Sequence, residues 1–151
     1  MEIERKFTVK KLPENLEQYP RKRIEQAYLC TRPVVRVRRK GEEFWLTCKG
    51  EGFLVREEFE LPLEEGASEH LMAKADGLVI RKDRYHIPYG EYTIELDVFD
   101  QPHAPLVIAE VEFSSVEQAE TFKAPDWFDR DVTDDPAYSN SNLSKGEKAA
   151  L

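Results

Sequence analysis

Residues 1–7, Met1-Glu2-Ile3-Glu4-Arg5-Lys6-Phe7, read as a β-strand with an unusual face. Side chains two apart on a strand point to the same side. Glu2, Glu4 and Lys6 therefore stand in one row, two carboxylates and an ammonium, while Ile3, Arg5 and Phe7 take the other side. An apolar side is ordinary for a strand that covers a core. A row of acids followed by a base is not ordinary filler.

Taken alone, that row reads best as a solvated strand face, because charged residues are mostly exposed. Repetition reverses the reading. Arg36 and Arg38 alternate with Val35 and Val37, and Thr47 and Lys49 with Leu46 and Cys48. Arg56, Glu58 and Glu60 alternate with Val55, Phe59 and Leu61, and Glu57 interrupts the apolar series. Lys82 and Arg84 follow, then Glu95 and Asp97 between Ile94, Leu96 and Val98, and Glu110 and Glu112 between Ala109, Val111 and Phe113. One side of strand after strand is apolar, and the other carries both signs of charge.

Eight strands are expected, near 2–9, 23–31, 34–40, 43–49, 54–61, 79–87, 91–99 and 106–113, joined by short turns that favour antiparallel pairing. Helical stretches are expected at 13–19, at 63–75 ending near Gly77, at 116–122 capped by Ser114 or Ser115, and at 142–150. An amphipathic helix needs an apolar surface to cover. If the apolar strand faces lie outward beneath helices, the charged faces lie inward. The expected fold is α+β, mainly β: an eight-stranded antiparallel closed barrel with a charged, hydrated interior, in other words a tunnel. Its inward set holds eight acids (Glu2, Glu4, Glu58, Glu60, Glu95, Asp97, Glu110, Glu112) and seven bases (Lys6, Arg36, Arg38, Lys49, Arg56, Lys82, Arg84).

The chain has 151 residues, which suits one domain over 1–151. Charged residues make up 34% of it, above the usual ~25%. A net charge of −8 argues against a general nucleic-acid binder but leaves room for a basic cluster inside an acidic protein. The two cysteines, Cys30 and Cys48, make no metal or redox spacing, and Cys48 is expected in the core. No leader or membrane-spanning run is visible, so a cytoplasmic location is expected, with no membrane partner and either a monomer or a homodimer.

Buried charge must be paired or must bind charged ligands. Arg forks and Lys point charges suit phosphate, and several bases converging on one cavity suit a polyphosphate. The carboxylates suit a hard divalent cation, Mg²⁺ or Mn²⁺, which would also remove the conflict between acids and phosphates. Metal and bases together would stabilise charge on a transferred phosphoryl group, with a free carboxylate or a second metal orienting or deprotonating water. Glu58, Glu60 and Glu110 are the candidates for that base.

These residues carry a resemblance. Glu2-x-Glu4-x-Lys6, Arg36-x-Arg38, Lys49, Glu58-x-Glu60, Lys82-x-Arg84, Glu95-x-Asp97 and Glu110-x-Glu112, in this order, resemble the CYTH superfamily, the triphosphate tunnel metalloenzymes. The segment from Asp131 to Leu143 resembles the tail of its short bacterial members. The resemblance implies metal ligands at Glu2, Glu4 and Glu112 with Glu110 close by. It implies phosphate-binding bases at Lys6, Arg36, Arg38, Lys49, Lys82 and Arg84, with Arg56 fitting by position, and a C-terminal plug helix after Tyr138. It further implies hydrolysis of inorganic tripolyphosphate to pyrophosphate and phosphate. Thiamine triphosphatase and adenylate cyclase are alternatives on the same scaffold, and a non-catalytic polyphosphate-binding module is the alternative from another class.

Plainer readings compete at several positions. Glu58 and Glu60 could be structural partners of Arg56 and Lys49, and Glu95 and Asp97 could orient Arg84 and Lys82. The runs Arg21-Lys22-Arg23 and Arg39-Lys40 read as solvated faces. His86 reads as a partly exposed strand-end residue, and Trp127 and Phe128 as packing over the barrel.

Overall fold

A computed structural model describes residues 1–145. Its strands are β1 (Glu2–Val9), β2 (Arg21–Thr31), β3 (Val34–Lys40), β4 (Glu43–Lys49), β5 (Val55–Arg56), β6 (Glu58–Leu63), β7 (Asp76–Tyr89), β8 (Tyr92–Phe99), β9 (Val107–Glu112) and β10 (Phe128–Asp131). The helices are α1 (Glu65–Met72), α2 (Val116–Thr121) and α3 (Asn140–Ser144), with single 3-10 turns at Leu16–Gln18 and Pro136–Tyr138. The architecture is a mainly-β antiparallel sheet with few helices, in the order β10-β1-β9-β8-β7-β2-β3-β4-β6.

Strand β5 lies off that path and pairs with β1. β1 pairs with β9 along Glu4–Thr8, with β5 at Glu2 and Ile3, and with β10 at Phe7 and Val9. β6 pairs with β4, from Lys49 opposite Glu58 to Phe44 opposite Leu63. Between β5 and β6 stands Glu57, whose carbonyl accepts from the Gly50 amide at 2.9 Å. The expected strand at 54–61 is therefore two strands, and the chain changes partner from β1 to β4 at the residue that breaks the alternation.

Other expectations need correction. The described residues hold ten strands rather than eight, because β5 and β6 are separate and β10 was not foreseen. β10 is held to β1 and buries Phe128 against Phe7, ring centroids 4.7 Å apart. Helix α1 is shorter than 63–75, since Leu63 still pairs with Phe44. Gly77 lies inside β7 rather than ending the helix. It has φ +75, and a Cβ there would collide with the Ser144 carbonyl, so glycine is what lets α3 lie against β7. Helix α2 starts as expected: the Ser115 hydroxyl accepts from the Gln118 amide at 3.1 Å, and the Gln118 side chain accepts from the Ser114 amide at 2.9 Å. Only 142–145 of the expected 142–150 helix falls within the described residues; α3 starts earlier, at Asn140. Cys48 is half-buried rather than core, because Phe59 and Leu61 of the adjacent β6 remain exposed.

The core has two parts. Outside the sheet, Phe7, Ile94, Leu96, Ala109 and Val111 pack with Ala119 of α2 and Phe128. The second part lies on the charged side. One pleat beyond the charges, Glu110 gives way to Ile108, Asp97 to Phe99 and Lys82 to Ile80. These apolar side chains pack with Tyr28, Val34, Val132, Tyr138 and Leu143. The C-terminal segment thus fills one end of the charged face with apolar bulk. Tyr138 and Leu143 are each 1% exposed, and full burial of such side chains stabilises by about 1.5–3 kcal/mol apiece.

Candidate active site

Thirteen of the fifteen charged residues expected to face inward line one cavity of about 220 Å³. From β1 come Glu2, Glu4 and Lys6, from β3 Arg36 and Arg38, and from β4 Lys49. Arg56, Glu58, Glu60, Arg84, Glu95, Glu110 and Glu112 complete the set. Antiparallel register explains the convergence. Glu4 stands opposite Glu112, Lys6 opposite Glu110, Glu95 opposite Glu110, and Arg84 opposite Asp97. Lys82 and Asp97 do not line the cavity; both are fully buried behind it.

Most of these charges are already matched. Asp97 accepts two bonds from Arg84, at 2.7 and 2.8 Å, and lies 2.6 Å from Lys82 Nζ. Arg84 also reaches Glu95 at 3.2 Å and Glu110 at 4.0 Å. Lys49 sits between Glu2 (3.1 Å) and Glu58 (3.4 Å), Arg56 lies 3.5 Å from Glu2, and Lys6 lies 3.8 Å from Glu110. Glu95 and Asp97, expected in a supporting role, are thus in contact with Arg84, and Asp97 also with Lys82. Lys82, expected to bind substrate, instead points its ammonium at Asp97.

The exceptions define the site. Among the described residues, neither Arg36 nor Arg38 has a carboxylate within 4 Å, and their Nε atoms are buried without a hydrogen-bond partner. Glu4 and Glu112, opposite one another across β1 and β9, likewise have no cationic partner at that distance among the described residues. An unpaired buried charge is costly, so this arrangement invites an anion beside β3 and a cation beside β1 and β9.

Proton affinities show the same division. Burial, with Glu110 and Glu2 nearby, pushes the Glu4 carboxyl up to about 8. Burial, with Glu2 and Glu95, also raises Glu112. Burial raises Glu58 too, helped by a hydrogen bond with Glu2, which is itself held low because Lys49 and that bond outweigh burial. Glu110 is buried, yet Lys6 and Arg84 hold it down at about 2. Asp97, though fully buried, is pulled well below the usual carboxylate range by Arg84 and Lys82. Burial, Arg36 and Arg84 lower Arg38 to about 10.

The expected metal set is not assembled as such. Among the described residues no three Asp, Glu, His or Cys side chains are arranged to hold a metal ion. Glu2 is turned to Lys49 and Arg56, which leaves Glu4 and Glu112 as the free oxygen donors. An all-oxygen pair with raised proton affinity is a fitting start for a hard divalent cation, which would relieve their repulsion.

Several lining residues escaped the sequence reading. Lys40, read as part of a solvated run, faces the cavity with Tyr28 and Val34, and Ser139, Asn140 and Ser141 enter from the C-terminal segment. The parity of Arg36 and Arg38 extends to Lys40, so that signal was present. The cavity side of β2, with Ile24, Gln26 and Tyr28, was also missed, because only Gln26 is polar enough to mark it. Gln26 is fully buried, stands opposite Arg38, and neither atom of its amide has a hydrogen-bond partner. With Lys40 counted, seven bases and seven acids line the cavity. His86 lies instead beside a neighbouring hollow with Glu91, Glu95 and Glu112, and Trp127 packs edge-on against Phe128.

The family model of the CYTH domain matches residues 1–145, which takes in every strand and the whole cavity lining, and the chain belongs to this family. Within it, the chain has inorganic triphosphatase homologues. One from Nitrosomonas europaea is 39% identical over 150 residues, covering 95% of this chain and 96% of that protein. Another, from Acetivibrio thermocellus, is 40% identical over 114 residues, covering 74% of this chain and 71% of that protein. A crystal structure of an inorganic triphosphatase superposes with a TM-score of 0.73 at 33% identity, covering 99% of this chain and 97% of that one. A putative adenylate cyclase from Bacillus halodurans, at 18% identity and a TM-score of 0.56, shares the fold alone. No helix among the described residues is long and apolar enough to cross a membrane.

Proposed function

We propose that this chain is a metal-dependent inorganic triphosphatase that cleaves tripolyphosphate to pyrophosphate and phosphate. The observation that carries the reading is one cavity holding two guanidiniums without an anion, Arg36 and Arg38, each with a buried and unpartnered Nε, together with a half-buried carboxyl without a cationic partner, Glu4. Relatives named inorganic triphosphatases, 39% and 40% identical, support the substrate. For the fold, β5 and β6 act as one strand interrupted at Glu57, which carries the sheet from β4 back to β1 and closes an eight-stranded barrel within a single domain, with β10 outside the ring.

Glu4 and Glu112, with Glu2 beside them, would hold Mg²⁺ or Mn²⁺, and the bound cation would neutralise charge on the phosphate chain. Arg36 and Arg38 grip phosphate oxygens with forked donors. Lys6, Lys49 and Arg56 add positive charge while their carboxylates hold them in place. Arg84, gripped by Asp97, presents its charge without having to reorient, the condition under which electrostatic stabilisation of a transition state is strongest. Lys82 acts behind it, through Asp97.

Glu58 takes the proton from the attacking water, because its raised proton affinity suits a general base. The water oxygen bonds to the terminal phosphorus, the anhydride P–O bond breaks, and pyrophosphate leaves with the electron pair. Glu60, 3.5 Å from the Thr47 hydroxyl, stands beside Glu58 on the same face and orients that water. Glu110, held at about 2, is too weak a base for this step and serves to fix Lys6 and Arg84.

The test is product analysis. The purified protein is incubated with Mg²⁺ or Mn²⁺ and, separately, with tripolyphosphate, ATP and thiamine triphosphate. Chelator-sensitive release of phosphate and pyrophosphate from tripolyphosphate, with slow turnover of the other two, is expected. Cyclic AMP from ATP, or silence on all three, would overturn the proposal.

A further inference from the structure

We infer that Lys40 is a third substrate-binding residue on β3, extending the anion site from two cations to a row of three. The inference rests on the triphosphatase reading for the identity of the anion, and on geometry for the site. On a strand, positions 36, 38 and 40 share one face at steps of about 7 Å, so the row spans about 13 Å. All three residues line the same cavity.

Pairing sets this row apart from every other base there. Lys6, Lys49, Arg56 and Arg84 each have a carboxylate within 4 Å. Among the described residues Arg36, Arg38 and Lys40 have none. Neighbouring cations make the lack of a carboxylate partner costly: Lys40 is half-buried, and burial, then Arg84, Arg38 and Lys22, act against its charge, with Glu95 pulling the other way. An isolated phosphate can satisfy one fork. Three unneutralised cations in a line suit a chain of linked phosphates, and the line gives that chain a direction, with its far end at Lys40.

The adjacent Arg39 supplies a control. It points to the opposite face, where its guanidinium donates to the Gly41 carbonyl at 2.9 Å and to Glu42 at 3.4 Å. Lys40 and Arg39 thus carry the same charge one residue apart, and only one of them sees the cavity.

The experiment compares full-length wild type, Lys40→Gln, Lys40→Arg and Arg39→Gln. KM and kcat for tripolyphosphate are measured with saturating Mg²⁺, and tripolyphosphate binding is measured by calorimetry in EDTA. Lys40→Gln is expected to raise both KM and the metal-free Kd about five- to tenfold, less than a buried charge-assisted contact because Lys40 is only half-buried, with kcat within about twofold. Lys40→Arg should recover most of that loss, and Arg39→Gln should leave both constants unchanged. Lys40→Gln constants within about twofold of wild type, matching Arg39→Gln, would overturn the inference. If wild type binds tripolyphosphate without hydrolysing it, the triphosphatase reading fails, and the calorimetry still decides the role of Lys40.

Discussion

Replacing Glu4 by glutamine should make the metal-free protein more stable and the enzyme nearly inactive. The carboxyl binds its proton at about 8 in the fold, against 4.5 ordinarily, because burial and the neighbouring Glu110 and Glu2 disfavour its charge. A carboxyl whose folded value lies above its unfolded one contributes no penalty below the unfolded value and a growing penalty as pH rises towards the folded one. Each pH unit in that window costs about 1.4 kcal/mol. At pH 7 the folded carboxyl is mostly protonated while the unfolded one is ionised, and taking up that proton costs the metal-free fold about 3 kcal/mol, against less than about 1 kcal/mol at pH 5. Glutamine keeps the shape and removes the charge. In EDTA at pH 7, calorimetry should show Glu4→Gln melting about 6–12 °C above wild type, with the gap narrowing at pH 5. Adding Mg²⁺ should raise the wild-type melting temperature and leave the variant unmoved, since only a ligand that binds the folded state stabilises it. Turnover of tripolyphosphate should fall at least ~10²-fold. A variant that melts at or below wild type in EDTA at pH 7, or that keeps turnover within a few-fold, would refute the placement of Glu4 as a carboxyl without a cationic partner at a cation site.

Arg38→Gln removes an unpaired fork and should raise KM for tripolyphosphate about 10- to 100-fold, as loss of a charged hydrogen bond implies; steady-state kinetics checks this. Asp97→Asn leaves Lys82 and Arg84 buried with less compensation and should destabilise by about 3–5 kcal/mol, lowering the melting temperature by about 10 °C. Because Asp97 in the fold lies below its usual 3.8, its stabilisation is present above that value and lost as pH falls through and below it, so an acid-denaturation series should show wild type losing its advantage over Asp97→Asn there. Gln26→Leu removes two buried polar atoms that lack partners and should raise the melting temperature by a few degrees while weakening substrate binding, if the free amide serves Arg38 or the phosphate chain; a stabilised variant with unchanged KM would make Gln26 a structural remnant.

Much of the fold was legible because the pleat reports parity without error: every charged residue assigned inward lies on the cavity face or directly behind it. The break at Glu57 was also visible, as the one charged residue in an apolar series, though its meaning as a change of strand partner was not. Strand β10 was illegible, since four residues containing Asp129, Arg130 and Asp131 carry no alternation, and only the packing of Phe128 on Phe7 reveals why they are extended. The apolar end of the interior was hidden for a related reason. Ile80, Phe99 and Ile108 continue the charged parity with apolar side chains, and what they pack on, Tyr138 and Leu143, lies far away in the chain. Which charges pair could not be read from alternation either: parity gives the face, whereas pairing depends on the stagger between neighbouring strands, and that stagger divides Lys82 from Arg38.

The equal numbers of acids and bases around the cavity bear on how salt acts on substrate capture. A balanced interior projects little field into solvent, so at long range a polyanion meets the chain's net charge of −8. Attraction begins only when phosphates come within reach of the unpaired row on β3. Dissolved ions shorten the range of the outer repulsion, with a Debye length of about 8 Å at physiological strength, and screen the enclosed contacts far less. Moderate salt therefore speeds the approach of a polyphosphate to this protein, the reverse of its effect on a pocket that draws anions in from a distance.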